Sequence, residues 1–143
     1  MPFSREASAG YLANHMARLF EKGLARRLVP LGLAPAQFMV LLVLWREDGL
    51  TQRDLAERLD VEQATMANTL ARMERDGLIT RSVDAEDRRA RRNHLTERGR
   101  ALEGPATEAA AAQNAAALAG LTEAERAALI AIAAKVIATM RRG

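Results

Sequence analysis

Seven arginines fall between positions 81 and 100: Arg81, Arg88, Arg89, Arg91, Arg92, Arg98 and Arg100. In water such charges repel one another; against a phosphodiester backbone they displace counterions and bind. The chemistry they suit is recognition of a polyanion, not bond making. Asp87 stands two residues before Arg89 and can hold that guanidinium in a fixed direction by a charge-assisted hydrogen bond. The segment DAEDRRA, Asp84 to Ala90, reads as a hairpin tip. A tip carrying arginine fits a minor groove, where a narrow groove concentrates negative potential. Just upstream, Gln63, Thr65, Asn68, Thr69 and Arg72 form a polar helix face. Asn and Gln suit adenine, Arg suits guanine, and Thr suits a base or a phosphate. With Thr51, Arg81 and Arg91, these are the candidate DNA-binding residues. A solvated helix face and a charged loop that only keeps the chain soluble are the competing readings.

Such residues need a frame. Thr51 and Asp54 make a capping box at the start of a helix. Leu55, Ala56 and Leu59 give that helix one apolar stripe, and Leu59-Asp60-Val61 reads as a tight turn. Asp tolerates left-handed backbone better than most residues, and Asp60 is also expected to cap the next helix with Gln63 at N3. That helix should run from about Glu62 to Asp76 and stop at Gly77, burying Met66, Leu70 and Met73. Two β-prone runs follow, 78–83 and 91–95. Helix-turn-helix plus hairpin is the layout of a winged DNA-binding unit.

Around this unit the pattern is helical. One helix is expected from about Ser8 to Val29, with Gly23 inside it, which a close helix crossing would explain. A second opens at Pro35 and closes at Gly49. A long helix starts after Thr96, is interrupted at Gly104-Pro105, and continues through the alanine-rich run 106–119. The last begins at the Thr122/Glu125 capping box and carries Leu129, Ile130, Ile132, Val136, Ile137 and Met140. It is apolar on more than one face, so a partner subunit is expected to cover it. The fold class is mainly α with a small β-hairpin: a winged helix-turn-helix at 35–98, an N-terminal dimerisation helix at 1–34 and C-terminal dimerisation helices at 99–143. Tyr11, His15, Phe38, Leu42 and Trp45 could line a cavity where the first two helices meet the winged unit, suited to an aromatic acid or phenol. Ordinary core packing with a half-exposed histidine is the alternative.

Composition narrows the function. The chain has 143 residues, enough for one cored domain, and a formal net charge of only +3. Aromatics make up 3%, too few for the stacking platforms of single-strand or RNA binders. There are no cysteines, which removes disulfides, thiolate zinc sites and thiol switches. His15 and His94 have no metal-ligand spacing, and no nucleophile motif or Gly-rich phosphate loop is present. An enzyme is not expected, nor a cofactor. Without an apolar leader or a long apolar run, a cytoplasmic location and no membrane partner are expected.

The run DAEDRRARRNHLTERG resembles the wing signature of the MarR family of bacterial transcription regulators. EQATMANTLARMERDGLITR is similar to that family's recognition helix and first wing strand. GYLANHMARLF and LGLAPAQFMVLLVLW resemble the first two helices of its SlyA-like branch. The resemblance implies a homodimer with one winged helix-turn-helix per subunit, usually a repressor, often responsive to small phenolic or lipophilic ligands. By position it makes Asp87 and Arg89 the wing pair and Arg89 the minor-groove residue, with Thr65 and Asn68 on the base-facing side. Asn68 stands where many members carry Arg, and Ala67 where many carry Ser or Thr. Peroxide sensing through cysteine, found in some members, is closed to a chain with none. The expectation is a ligand-responsive repressor on a pseudo-palindromic duplex operator. A ligand-independent architectural DNA binder and a helical protein-interaction module are the alternatives.

Overall fold

A computed structural model of the chain describes residues 2–143. Seven α-helices and three short strands follow in the order α1 Ala9–Leu28, α2 Pro35–Leu44, β1 Leu50–Thr51, α3 Gln52–Leu59, α4 Gln63–Arg75, β2 Ile79–Val83, β3 Arg91–Leu95, α5 Glu97–Ala101, α6 Glu103–Ala117 and α7 Glu123–Arg142. The sheet is antiparallel with order β1-β3-β2.

Local chemistry sets the boundaries. The Ser8, Thr51, Thr96 and Thr122 hydroxyls accept backbone N–H groups at the starts of α1, α3, α5 and α7. At the start of α2, where Ala34 has no such group, Gln37 Oε1 accepts from the Ala34 N–H at 3.1 Å. The Gln37 side chain is buried and donates through Nε2 to Asp76 Oδ2 at 2.9 Å, tying the start of α2 to the end of α4. Asp60 takes the left-handed backbone (φ 53°) that closes α3. It does not cap α4: Glu62 holds that position, without a side-chain bond, and Asp60 instead pairs with Arg141 Nε at 3.1 Å. Helix α2 also ends earlier than expected. It stops at Leu44, and Gly49 (φ 80°) makes the turn into β1 instead.

The core is built on Leu28, Phe38, Leu41, Leu44, Leu55, Met66, Leu70, Met73, Leu78 and Ile79, all buried. It joins α2 to the helix-turn-helix and the base of the hairpin. The third strand, β1, is a finding beyond the expected hairpin. Leu50 lies opposite Asn93 and Thr51 opposite Arg92. The fully buried Asn93 donates from Nδ2 to Leu50 O at 3.0 Å. A two-residue strand is too short for a periodicity to reveal.

Helix α1 crosses α6 at Gly23: a Cβ there would run into the Gln113 side chain. Arg27 Nε donates to Gln113 Oε1 at 3.1 Å beside the crossing. The break between α5 and α6 falls at Leu102, so Pro105 sits in the first turn of α6, where its missing N–H costs nothing. Helix α7 buries no residue and exposes Ile130, Ile132, Val136, Ile137 and Met140; α1 exposes Leu12, Met16 and Leu19. The last helix reaches the helix-turn-helix at its tip, where Arg141 bonds Asp60 and donates to the Glu57 carbonyl at 3.1 Å. Arg141 is thus tied to the end of α3 by two contacts. No single helix is long and apolar enough to cross a membrane among the described residues.

Candidate nucleic-acid interface

The wing is held at its base by a pair absent from the sequence expectation. Asp84, buried, accepts from Arg92 Nε at 2.9 Å, and Arg92 Nη1 donates to the Gly49 carbonyl at 2.9 Å. The Arg92 hydrogen bond holds the Asp84 carboxyl below the ordinary aspartate range despite partial desolvation. Arg92 is therefore spent on structure. The readable signal is an aspartate opening the tip just after β2 and an arginine eight residues on, in β3. Backbone bonds from Asp84 N to Ala90 O and from Ala90 N to Asp87 O, each 3.0 Å, shape the tip.

Beyond that clamp the tip stands free. Asp87 Oδ1 accepts from the Arg89 backbone N–H at 3.0 Å and from Arg89 Nε at 3.4 Å. The backbone bond is the shorter, so Asp87 shapes the turn first and aims the guanidinium second. The Arg89 side chain remains 93% exposed, and Arg88 and Arg91 are exposed too.

Between the wing and the start of the helix pair lies a cleft of about 400 Å³. Arg53, Arg81, Arg89 and Arg91 line it with Thr51, Gln52 and Gln63, and no carboxylate does. Arg53 and Gln52 joined this set only through the fold. Arg81 Nε and Asn93 Oδ1 are both buried without a hydrogen-bond partner, and the two residues face each other across β2 and β3. A donor and an acceptor thus share one face of the sheet, and the terminal nitrogens of Arg81 are left for the cleft.

On α4, Gln63, Thr65, Asn68 and Arg72 are exposed, while Thr69 is half-buried and its hydroxyl donates back to the Thr65 carbonyl at 3.1 Å. Gln63 is steadied by Gln52, whose Nε2 donates to its Oε1 at 3.1 Å. Thr51 spends its hydroxyl acceptor on the Asp54 N–H at 3.2 Å, and Asp54 Oδ2 accepts from the Thr51 N–H in return, which lowers the Asp54 carboxyl.

The five candidate ligand residues do not converge. Phe38 and Leu42 line a cavity of about 800 Å³ with α1 and α6. His15 lines an adjoining cavity of about 500 Å³. Tyr11 borders neither; it lies edge-on to His15, ring centroids 6.0 Å apart. Trp45 is turned into the core, its Nε1 donating to the Gly99 carbonyl at 2.9 Å. The reason is position along the helices: Tyr11 lies near the start of α1, and Trp45 lies just past the end of α2, where it meets α5 instead of the cavity. No cluster of metal-ligating side chains exists among the described residues.

A three-helix core, a turn closed by a left-handed Asp60 and an arginine-tipped hairpin define a winged helix-turn-helix protein. The sequence profile of the MarR family matches residues 33–90. HTH-type transcriptional repressor Rv2887 of Mycobacterium tuberculosis is 31% identical over 122 residues, 85% of this chain and 88% of that protein. The chain belongs to the MarR family. HTH-type transcriptional regulator TtmR of Methylorubrum extorquens is 40% identical over 68 residues, 48% of this chain. The organic hydroperoxide resistance transcriptional regulator of Bacillus subtilis is 37% identical over 78 residues, 54% of this chain. The matches span 35% and 53% of these two relatives' own lengths. Among solved structures, the crystal structure of MarR superposes with a TM-score of 0.87 at 27% identity, covering 99% of this chain and 97% of that one. The transcriptional repressor CouR, bound to a 23-mer DNA duplex, gives a TM-score of 0.84 at 26% identity over 96% of this chain and 99% of that one.

Proposed function

We propose that the chain is a cytoplasmic, homodimeric repressor of the SlyA-like branch that reads a pseudo-palindromic operator and releases it on binding a small effector. Each subunit places α4 in a major groove and Arg88 and Arg89 in the flanking minor groove, with half-sites about one helical turn, roughly 10 bp, apart. The observation that carries this reading is the cleft between the wing and the start of the helix pair, lined by four arginines and by no carboxylate: its charge suits a phosphate of the DNA backbone. The structural relative CouR, solved bound to a 23-mer DNA duplex, supports duplex DNA as the partner. The exposed apolar faces of α1 and α7 support a dimer in which they meet.

The test is operator binding by anisotropy as salt is varied, on the sequence upstream of the chain's own gene. Arg81→Ala should weaken binding alike on all sequences and lower the salt slope by about 1. Arg89→Ala should cost roughly 1–3 kcal/mol and relax preference at the minor-groove positions. Binding that ignores both changes would remove the wing from the interface. A salt slope accounting for nearly all affinity, with little sequence preference, would favour an architectural binder instead.

A further inference from the structure

We propose that the cavity between α1, α2 and α6 takes a lipophilic organic cation, with Glu21 as its counter-charge. At about 800 Å³ it has the size of a drug-like ligand site. Met16, Phe20, Leu24, Phe38, Met39 and Leu42, with alanines of α6, make its walls apolar. Four polar side chains reach it: Glu21, Thr107, Gln113 and Asn114.

Their states matter. The Thr107 hydroxyl donates to the Glu103 and Gly104 carbonyls, so its proton is taken. Gln113 Oε1 is taken by Arg27. Glu21 is the one ionisable lining residue, and it has no partner among the ion pairs of the described residues. A carboxylate or phenolate entering here would leave water without a cation in the lining to receive it, and would meet Glu21. Arg27 stands outside, engaged by Gln113, and His15 lines the adjoining cavity. A cation gains on every count. Glu21 neutralises it, the wall holds the aromatic rings of Phe20 and Phe38, and the Met16 and Met39 thioethers are polarisable. An aromatic acid or phenol, the ligand class expected from sequence, is the alternative, and titration with ions of opposite charge separates the two.

Occupancy can be read without DNA, so this inference rests on the effector-responsive reading only for its consequence on the operator. Trp45 is the single tryptophan, and its ring lies 6.0 Å from that of Phe38, a wall of the cavity. Tetraphenylphosphonium and tetraphenylborate have one shape and opposite charge. Titrated into the full chain, the phosphonium should shift Trp45 emission saturably and bind about two- to fivefold tighter than the borate. Glu21→Gln, an exposed change, should close most of that gap. Ala111→Leu should fill the cavity and weaken the phosphonium while circular dichroism stays unchanged. Borate binding as tightly, a ratio indifferent to Glu21→Gln, or no binding of either ion because a second copy's helix fills the space would each overturn the proposal. Phosphonium that saturates Trp45 but leaves operator complexes intact would sink the effector-responsive reading and spare this one. Operator release by salicylate, with no Trp45 response to the phosphonium, would do the reverse.

Discussion

Asp84 is the residue whose charge state the wing depends on. Its carboxyl is lowered chiefly by the Arg92 hydrogen bond, Asp54 by the Thr51 N–H, and Asp76 by Arg75 and then Gln37. Each is a carboxylate with a folded value below its unfolded one. The stability they contribute is therefore fully present above the ordinary aspartate range and is lost as pH falls through the lower folded values. Melting temperature should hold steady from neutral pH down to about pH 4 and then fall. Asp84→Asn should reduce that acid slope and, at neutral pH, speed amide exchange in 84–92 ahead of the rest. An unchanged slope together with unchanged wing exchange would show the clamp to be dispensable. Arg89, 93% exposed, makes no such contribution, and its loss should leave melting untouched while operator binding falls.

At the scale of elements, tight contacts rest on small residues. Gly99 is buried in α5, and a Cβ there would strike the Leu78 carbonyl, a backbone atom that cannot swing aside. Gly99→Ala should destabilise by about 1–3 kcal/mol in denaturant unfolding; a neutral result would mean α5 can shift on the sheet. Thr51→Ala should cost about 1 kcal/mol through its lost cap. Much of this level was legible in the sequence because its signals are local. Capping boxes at Thr51 and Thr122, the stripe Met66-Leu70-Met73, the left-handed Asp60 and the wing strands each sit within a few residues of one another. What stayed hidden is contact between segments distant in sequence. The Gln37–Asp76 tie, the pairing of the two-residue β1 with β3 and the bond from Trp45 to Gly99 join residues far apart in the chain, and the Asp84–Arg92 clamp depends on the register of the hairpin. The arginine cleft was half visible: Arg81, Arg89 and Arg91 crowd in sequence, whereas Arg53 arrives from α3.

For the whole molecule, the open question is what covers α7. Its Ile130, Ile132, Val136, Ile137 and Met140 are exposed in the single chain, as are Leu12, Met16 and Leu19 of α1. Apolar faces of this extent mark an interface. Ile137→Asp should yield a monomer by light scattering, and operator affinity should drop at least about tenfold because two half-sites no longer act together. A dimer that survives the change would move the interface elsewhere. The contact of Arg141 with Asp60 and the Glu57 carbonyl has a practical corollary. Anything fused behind it lies beside the turn between α3 and α4, so a carboxy-terminal purification handle should distort affinity measurements that an amino-terminal one leaves alone.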